Sequence, residues 1–259
     1  MVNNRPIGFF DSGVGLFSTL VETKKLLPNE NFVIFADQSH NPYGEKSGHQ
    51  IRKFARTATE FLIIKHNIKM MVLACNTATV LALDYLRKNF DIPIVGTVPA
   101  VKPAFEGHKQ VRVAIMSTPA TAKSKYLDSL INDFGEPTKT LKVGCTGLEE
   151  AIEVWDHTAI ETCLDQYIKK INSAGPNVVV LGCTHYPLIR DLIRKKLDKK
   201  VQIIDSGRAI AQRIKNILAE KRLSAKRKTP DFYYTTGDPR LFSKVSSMIL
   251  KKPVIAQKA

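Results

Sequence analysis

Short apolar runs of strand character alternate along this chain with segments whose apolar residues recur every three to four positions. Runs at 7–10, 32–36, 70–74, 92–95, 111–116, 141–144, 178–181 and 201–204 read as strands. Segments at 17–27, 50–66, 77–89, 120–134, 158–173, 186–197 and 207–218 read as helices. A last strand at 232–235 and a helix at 240–250 follow a basic stretch at 219–228. Strand and helix in alternation predict an α/β fold with mostly parallel, doubly wound sheets and helices on both faces.

The pattern repeats itself. MVLACNTA (71–78) resembles VVLGCTHY (179–186): an apolar strand, a small residue, Cys, two polar residues, then a helix. Cys75 and Cys183 stand 108 positions apart in this alignment. IGFFDSG (7–13) pairs with VAIMSTP (113–119) at an offset of 106, and IPIVGT (92–97) with VQIIDS (201–206) at 109. The strand near 31–37 pairs with 141–147 at about 110. Order and spacing agree, so two similar, pseudo-symmetric α/β halves are expected. Open parallel sheets bind ligands past the carboxyl ends of their strands. Cys75, Cys183, Asp11–Ser12 and Ser117–Thr118 all fall there. Two halves facing each other would set the thiols across one cleft.

That placement matters because a lone cytosolic cysteine is by default a small buried hydrophobe. Inverting a stereocentre by proton transfer needs a base on one face of the carbon and an acid on the other, and a pair of like groups serves both directions. Thiols suit the task, since their ordinary pKa of about 8.5 lies near working pH and a helix N-terminus favours the thiolate. Asn76, Thr77, Thr184 and His185 offer donors for a substrate carboxylate beside the two cysteines. Asp11 and His185 are the natural proton-handling neighbours. Asp11 can equally cap the helix after it, and His185 can be a polar helix-start residue.

Composition narrows the classes. The four cysteines (75, 145, 163, 183) form no CxxC pair and stand at no zinc-finger spacing from a histidine, so no metal is expected. No run of 18 apolar residues is present and the N-terminus lacks a basic-then-apolar leader, which points to a cytoplasmic protein without a membrane span. DSGVGLFS (11–18) has Ser18 where GxGxxG needs its third glycine, and no Walker A or GxSxG motif occurs. A pyridoxal lysine is not excluded by pattern, but the cysteine pair makes one unnecessary. The net charge of +15 raises a nucleic-acid partner or a field that draws in anionic substrates. Its basic residues spread over helix faces, as at 194–200 and 220–228, with no interleaved aromatics, which favours a solvated surface.

IGFFDSGVG, ADQSHNPYGEKS, VLACNTAT, IVGTVPAVKPA, STPATAKS, VLGCTHYP, IIDSG and YYTTGD together resemble the bacterial glutamate racemases from about residue 7 to 237. The related aspartate racemases typically carry Glu at the position of His185 and do not open with DSG. The resemblance implies a cofactor-independent glutamate racemase that interconverts L- and D-glutamate and supplies D-glutamate for peptidoglycan. It implies Cys75 and Cys183 as the catalytic pair, Asp11 and His185 as their assistants, and a substrate pocket of Asp11, Ser12, Tyr43, Gly44, Asn76, Thr77, Thr184 and His185. Thr121 and Glu153 match weaker pocket positions. By residues alone, Tyr43 and Gly44 read as a plain Pro-Tyr-Gly turn. The resemblance also implies one domain of 1–97 plus 208–259, a second of 98–207, an active site between them, and a homodimer.

Two departures stand out. Leu16 occupies the second glycine of the family's GVGG, where a side chain could crowd the turn below Asp11 or force an unfavourable backbone angle. After Cys145, TGLEEAIE lacks the family's proline-containing apolar run. The competing readings are a racemase or isomerase of the same superfamily acting on another amino acid or diacid, and a non-catalytic binding protein that contacts nucleic acid or a topoisomerase.

Overall fold

The computed structural model describes residues 3–106, 111–226 and 229–259. Of the basic stretch 219–228, residues 227 and 228 lie outside the described residues. The chain divides into two compact units, residues 1–97 with 207–259 and residues 98–206.

The first unit begins β1 (Ile7–Asp11), α1 (Leu16–Leu26), β2 (Phe32–Ala36), α2 (Gly48–His66), β3 (Met70–Leu73), α3 (Asn76–Asn89) and β4 (Ile94–Gly96). The second follows with α4 (Val101–Phe105), β5 (Val113–Ser117), α5 (Pro119–Ala122), α6 (Lys125–Phe134), β6 (Thr140–Gly144), α7 (Leu148–Glu153), α8 (His157–Ala174), β7 (Val178–Leu181), α9 (Arg190–Lys196) and β8 (Gln202–Ile204). The chain then returns to the first unit as α10 (Gly207–Glu220), β9 (Phe232–Thr235), α11 (Pro239–Leu250) and β10 (Gln257–Lys258).

The first sheet runs β10-β9-β2-β1-β3-β4 and the second β6-β5-β7-β8, and every pairing in both is parallel. β1, β2, β3, β5 and β7 are buried at every position. This is why they read as unbroken apolar runs rather than as alternating ones: helices cover both faces.

The order β2-β1-β3-β4 in one unit matches β6-β5-β7-β8 in the other, strand for strand with the sequence repeat. The backbone ladder confirms the register. Ala74 N–H donates to Phe10 O at 2.8 Å, and Gly182 N–H donates to Met116 O at 2.7 Å. Asp37 N–H donates to Asp11 O at 2.9 Å, and Cys145 N–H donates to Ser117 O at 2.8 Å. The next residue after each first pair is a cysteine, so Cys75 and Cys183 are equivalent positions of two like sheets.

Several elements differ from the periodicity, for local reasons. The helix expected at 120–134 is two, because Ser124 turns extended (φ −77°, ψ 139°) and its side chain accepts Leu127 N–H, ending α5 and starting α6. The helix expected at 186–197 begins as a 3₁₀ turn at Tyr186–Ile189 that contains Pro187, and only Arg190–Lys196 is α-helical. The strand expected at 92–95 starts at Ile94, after Pro93. α4, α7 and β10 were not anticipated, being too short for a period to show.

Leu16 does not need the unfavourable backbone angle foreseen for it. It is fully buried as the first residue of α1, Gly15 before it is right-handed (φ −54°), and Leu16 is not among the positive-φ residues. The side chain adds to the core at the turn where the family carries hydrogen.

Candidate active site

In the first unit the site grows from the carboxyl ends of β1, β2 and β3. Asp11 closes β1, and both Asp11 and Ser12 are buried. Asp11 Oδ1 accepts Ser12 N–H at 2.7 Å and Ser12 Oγ–H at 3.2 Å. Ser12 Oγ stands 3.8 Å from Cys75 Sγ, completing a carboxylate–hydroxyl–thiol line. The N-cap position of the next helix is Gly15, four residues after Asp11. Cys75 is the N-cap of α3, in extended conformation, with Asn76 and Thr77 opening the helix. The first N–H groups of a helix lack partners within it, so they and the dipole favour an anion at this point.

Tyr43 and Gly44 do lie in a tight turn, a 3₁₀ segment at Tyr43–Glu45, but Tyr43 is buried rather than exposed. Its hydroxyl donates to Asp37 Oδ2 at 2.6 Å. Burial first, and then the neighbouring Asp37 carboxylate, hold the Tyr43 phenol protonated well above the ordinary phenol range, with smaller contributions from Cys75 and Asp11. Asp37 also accepts Thr236 Oγ–H at 2.8 Å and faces His40 Nδ1 at 2.8 Å. Asp37 went unnoticed in the sequence, although it follows the end of β2 much as Asp11 closes β1.

In the second unit Cys183 follows β7, with Gly182 between. A Cβ at Gly182 would lie 3.0 Å from Met116 O, so the close approach of β7 to β5 at this point favours glycine. Cys183 Sγ faces His185 Nδ1 at 3.7 Å, and His185 Nε2 lies 2.7 Å from Glu153 Oε2. His185 stands at the N-cap of the 3₁₀ turn that follows, as a helix-start residue, but its side chain makes no cap bond. Cys183 precedes a 3₁₀ turn, not an α-helix, so the expected helix dipole is weak here and the imidazole takes its place beside the thiol.

The electrostatics of this half are coupled. Burial and then the Glu149 charge push the Cys183 thiol up, and the bonds to His185 pull it back. Burial lowers the His185 pKa, but the bonds to Cys183 and Glu153 and the Glu149 charge outweigh it, leaving the ring protonated well above its ordinary range. Thr184 is buried beside them, and Thr121 instead bonds Thr118 at the start of α5. Glu149 was missed in the sequence. It sits four residues before Glu153 on α7, so both carboxylates leave one face of that helix. EEAIE carries this spacing, but a six-residue helix shows no period of its own.

The other two cysteines separate cleanly. Cys145 is buried against the backbone and burial pushes its thiol up to about 12. Cys163 is half-buried on α8, with its thiol also raised by burial.

Residues 17–214 match the family model described as Asp/Glu/Hydantoin racemase. The glutamate racemase of Clostridium botulinum (strain Alaska E43 / Type E3) is 41% identical over 223 residues, covering 85% of this chain and 86% of that protein. The glutamate racemase of Stutzerimonas stutzeri (strain A1501) is 37% identical, covering 93% and 92%. Among solved structures, glutamate racemase isoform RacE1 from Bacillus anthracis superposes with a TM-score of 0.87 at 26% identity, covering 99% of this chain and 98% of that one. Escherichia coli glutamate racemase, solved with L-glutamate and the activator UDP-MurNAc-ala, superposes at 0.86 with 28% identity, covering 98% and 100%. This chain belongs to the Asp/Glu/hydantoin racemase family. Within that class it is an amino-acid racemase. No helix among the described residues is long and apolar enough to cross a membrane.

Proposed function

We propose that the protein is a glutamate racemase working by two-cysteine proton transfer without a cofactor, and that it supplies D-glutamate for peptidoglycan. The observation that carries this reading is the equivalence of Cys75 and Cys183: each follows the same strand of a like sheet with one residue between, at the same rung of the backbone ladder. One substrate carbon is taken between the two thiols. The thiolate on one face removes the α-proton, the thiol on the other returns one, and the roles reverse for the other enantiomer.

Each thiol has its own proton-handling group. Cys75 works with Asp11 through Ser12, and Cys183 with His185 held by Glu153. The first turn of α3, with Asn76 and Thr77, and the buried Thr184 receive the substrate's α-carboxylate. Tyr43 and Gly44 line the same pocket. Glutamate is the substrate assigned because relatives at 36–41% identity bear that activity and His185 occupies the position where aspartate racemases carry Glu.

The test is an assay without added cofactor, in D₂O, against both glutamate and both aspartate enantiomers. Each glutamate enantiomer should yield a product carrying solvent deuterium at Cα. Inversion without exchange, or full activity in Cys75→Ala, would defeat the mechanism. Turnover of aspartate in preference to glutamate would defeat the substrate assignment.

A further inference from the structure

We propose that Glu149, Cys183 and His185 form a binding site for a thiophilic divalent cation, with zinc as its probe, and that occupancy shuts the racemase off by capturing the Cys183 thiolate. The site goes beyond the reaction itself, and its binding half is measurable without turnover.

The three side chains are buried, and one ligand atom from each lies within 4.8 Å of the others. A thiolate, an imidazole and a carboxylate are the donor types that zinc takes with three protein ligands and one open position. The spacing of the cysteine and histidine ligands is close to that of a bound state. With zinc bonds of about 2.3 Å to sulfur and 2.0–2.1 Å to nitrogen at tetrahedral angles, the two atoms should stand about 3.5 Å apart. Cys183 Sγ and His185 Nδ1 stand 3.7 Å apart.

His185 is also oriented as metal-bound imidazoles are. Its far nitrogen, Nε2, is engaged by Glu153 at 2.7 Å, which aims Nδ1 at the site. Glu149 comes from the same face of α7 as Glu153, so one short helix supplies both the ligand and the group that holds the ring. The carboxylate also falls in the stretch after Cys145 where this chain departs from the family's apolar run. The Cys–His pair is joined here by a third ligand, the hard-oxygen donor Glu149.

Binding releases the protons of the Cys183 thiol and of His185 Nδ1 to solvent and involves no redox change. A thiolate coordinated to the metal no longer serves as base or, once reprotonated, as acid, so turnover stops until the ion is removed.

The experiment is titration of the full-length protein with zinc against a chromophoric chelator, and with cobalt(II) followed optically. We expect one equivalent bound, a thiolate-to-cobalt charge-transfer band that Cys163→Ser keeps and Cys183→Ser loses, and an affinity at least about tenfold weaker in Glu149→Gln. The racemase rate should fall in step with zinc occupancy and return with a chelator. Absence of the charge-transfer band in the unsubstituted protein overturns the site, as does zinc bound equally tightly by Glu149→Gln or a band lost in Cys163→Ser. The cobalt spectra of the unsubstituted, Cys163→Ser and Cys183→Ser proteins decide the matter even if Glu149→Gln does not fold, and a band kept in Cys183→Ser overturns the site. Metal bound with the rate unchanged overturns the shut-off. A metal-free protein without turnover counts against the racemase reading and leaves the spectra to judge the site.

Discussion

His185 links Glu153 to Cys183: its Nε2 lies 2.7 Å from Glu153 Oε2, and its Nδ1 faces Cys183 Sγ at 3.7 Å. The line carboxylate–imidazole–thiol fixes the ring by its far nitrogen and leaves the near one facing sulfur. Opposite it in the repeat, the line Asp11–Ser12–Cys75 does the same with a hydroxyl in place of the ring. Equivalent strands thus set unlike polar groups beside their cysteines.

The first prediction concerns Glu153, a positioning residue. Its bond raises the His185 pKa, so removing the charge lowers it. In Glu153→Gln the limb of the pH–rate profile set by loss of the imidazolium proton should move to lower pH. We expect kcat/KM at pH 8 to fall about 10–100-fold, at or below the usual range for a general acid–base group. Glu153→Asp should restore part of the loss. A pH profile left in place would show that Glu153 serves packing alone.

The two cysteines should be distinguishable by isotope effect. L- and D-glutamate are equal in free energy, so Cys75→Ser and Cys183→Ser must each lower kcat/KM by one common factor in both directions. The asymmetry lies in which proton transfer becomes slow. α-Deuterated substrate should show a larger primary effect for the enantiomer whose base was replaced, and the two variants should show opposite preferences. Equal effects in both directions for both variants would contradict one base per enantiomer.

Gly182 should prove intolerant of even one methyl. Its Cβ would meet Met116 O at 3.0 Å and Ile115 Cγ2 at 3.2 Å, and its own N–H is bonded to that same oxygen. Gly182→Ala must part β7 from β5 beside Cys183. Overpacking of this kind costs about 1–3 kcal/mol, and a shift of even 1 Å in a reacting group can cost about 10²-fold in rate. Urea unfolding and kcat measured on one preparation check both, and a rate within twofold of the parent would show that the thiol does not depend on this contact.

Leu16→Gly, which restores the family residue, should destabilise rather than relieve. Leu16 is fully buried at the start of α1, in right-handed backbone with no glycine requirement. Removing the side chain leaves a cavity and a freer unfolded chain, about 3–5 kcal/mol together. A urea midpoint equal to or above the parent's would mean that the turn is strained as it stands.

The sequence by itself determined the alternation of strand and helix, the duplication and the pairing of Cys75 with Cys183, because these are local. A strand buried on both faces is a run of apolar residues, and a repeat survives as an offset. Asp11, Ser12 and His185 were legible for the same reason, each lying within two residues of a strand end or of Cys183. Tertiary structure decided what depends on neighbours distant in the chain. It set Ser12 between Asp11 and Cys75, placed Tyr43 on Asp37, and buried Leu16 in right-handed backbone at the start of α1. Above all it brought α7 against His185. Glu153 was only a weak match and Glu149 went unnoticed, because a six-residue helix carries no period that would show both carboxylates on one face. Their role follows from packing against residues more than thirty positions away, which no local pattern records.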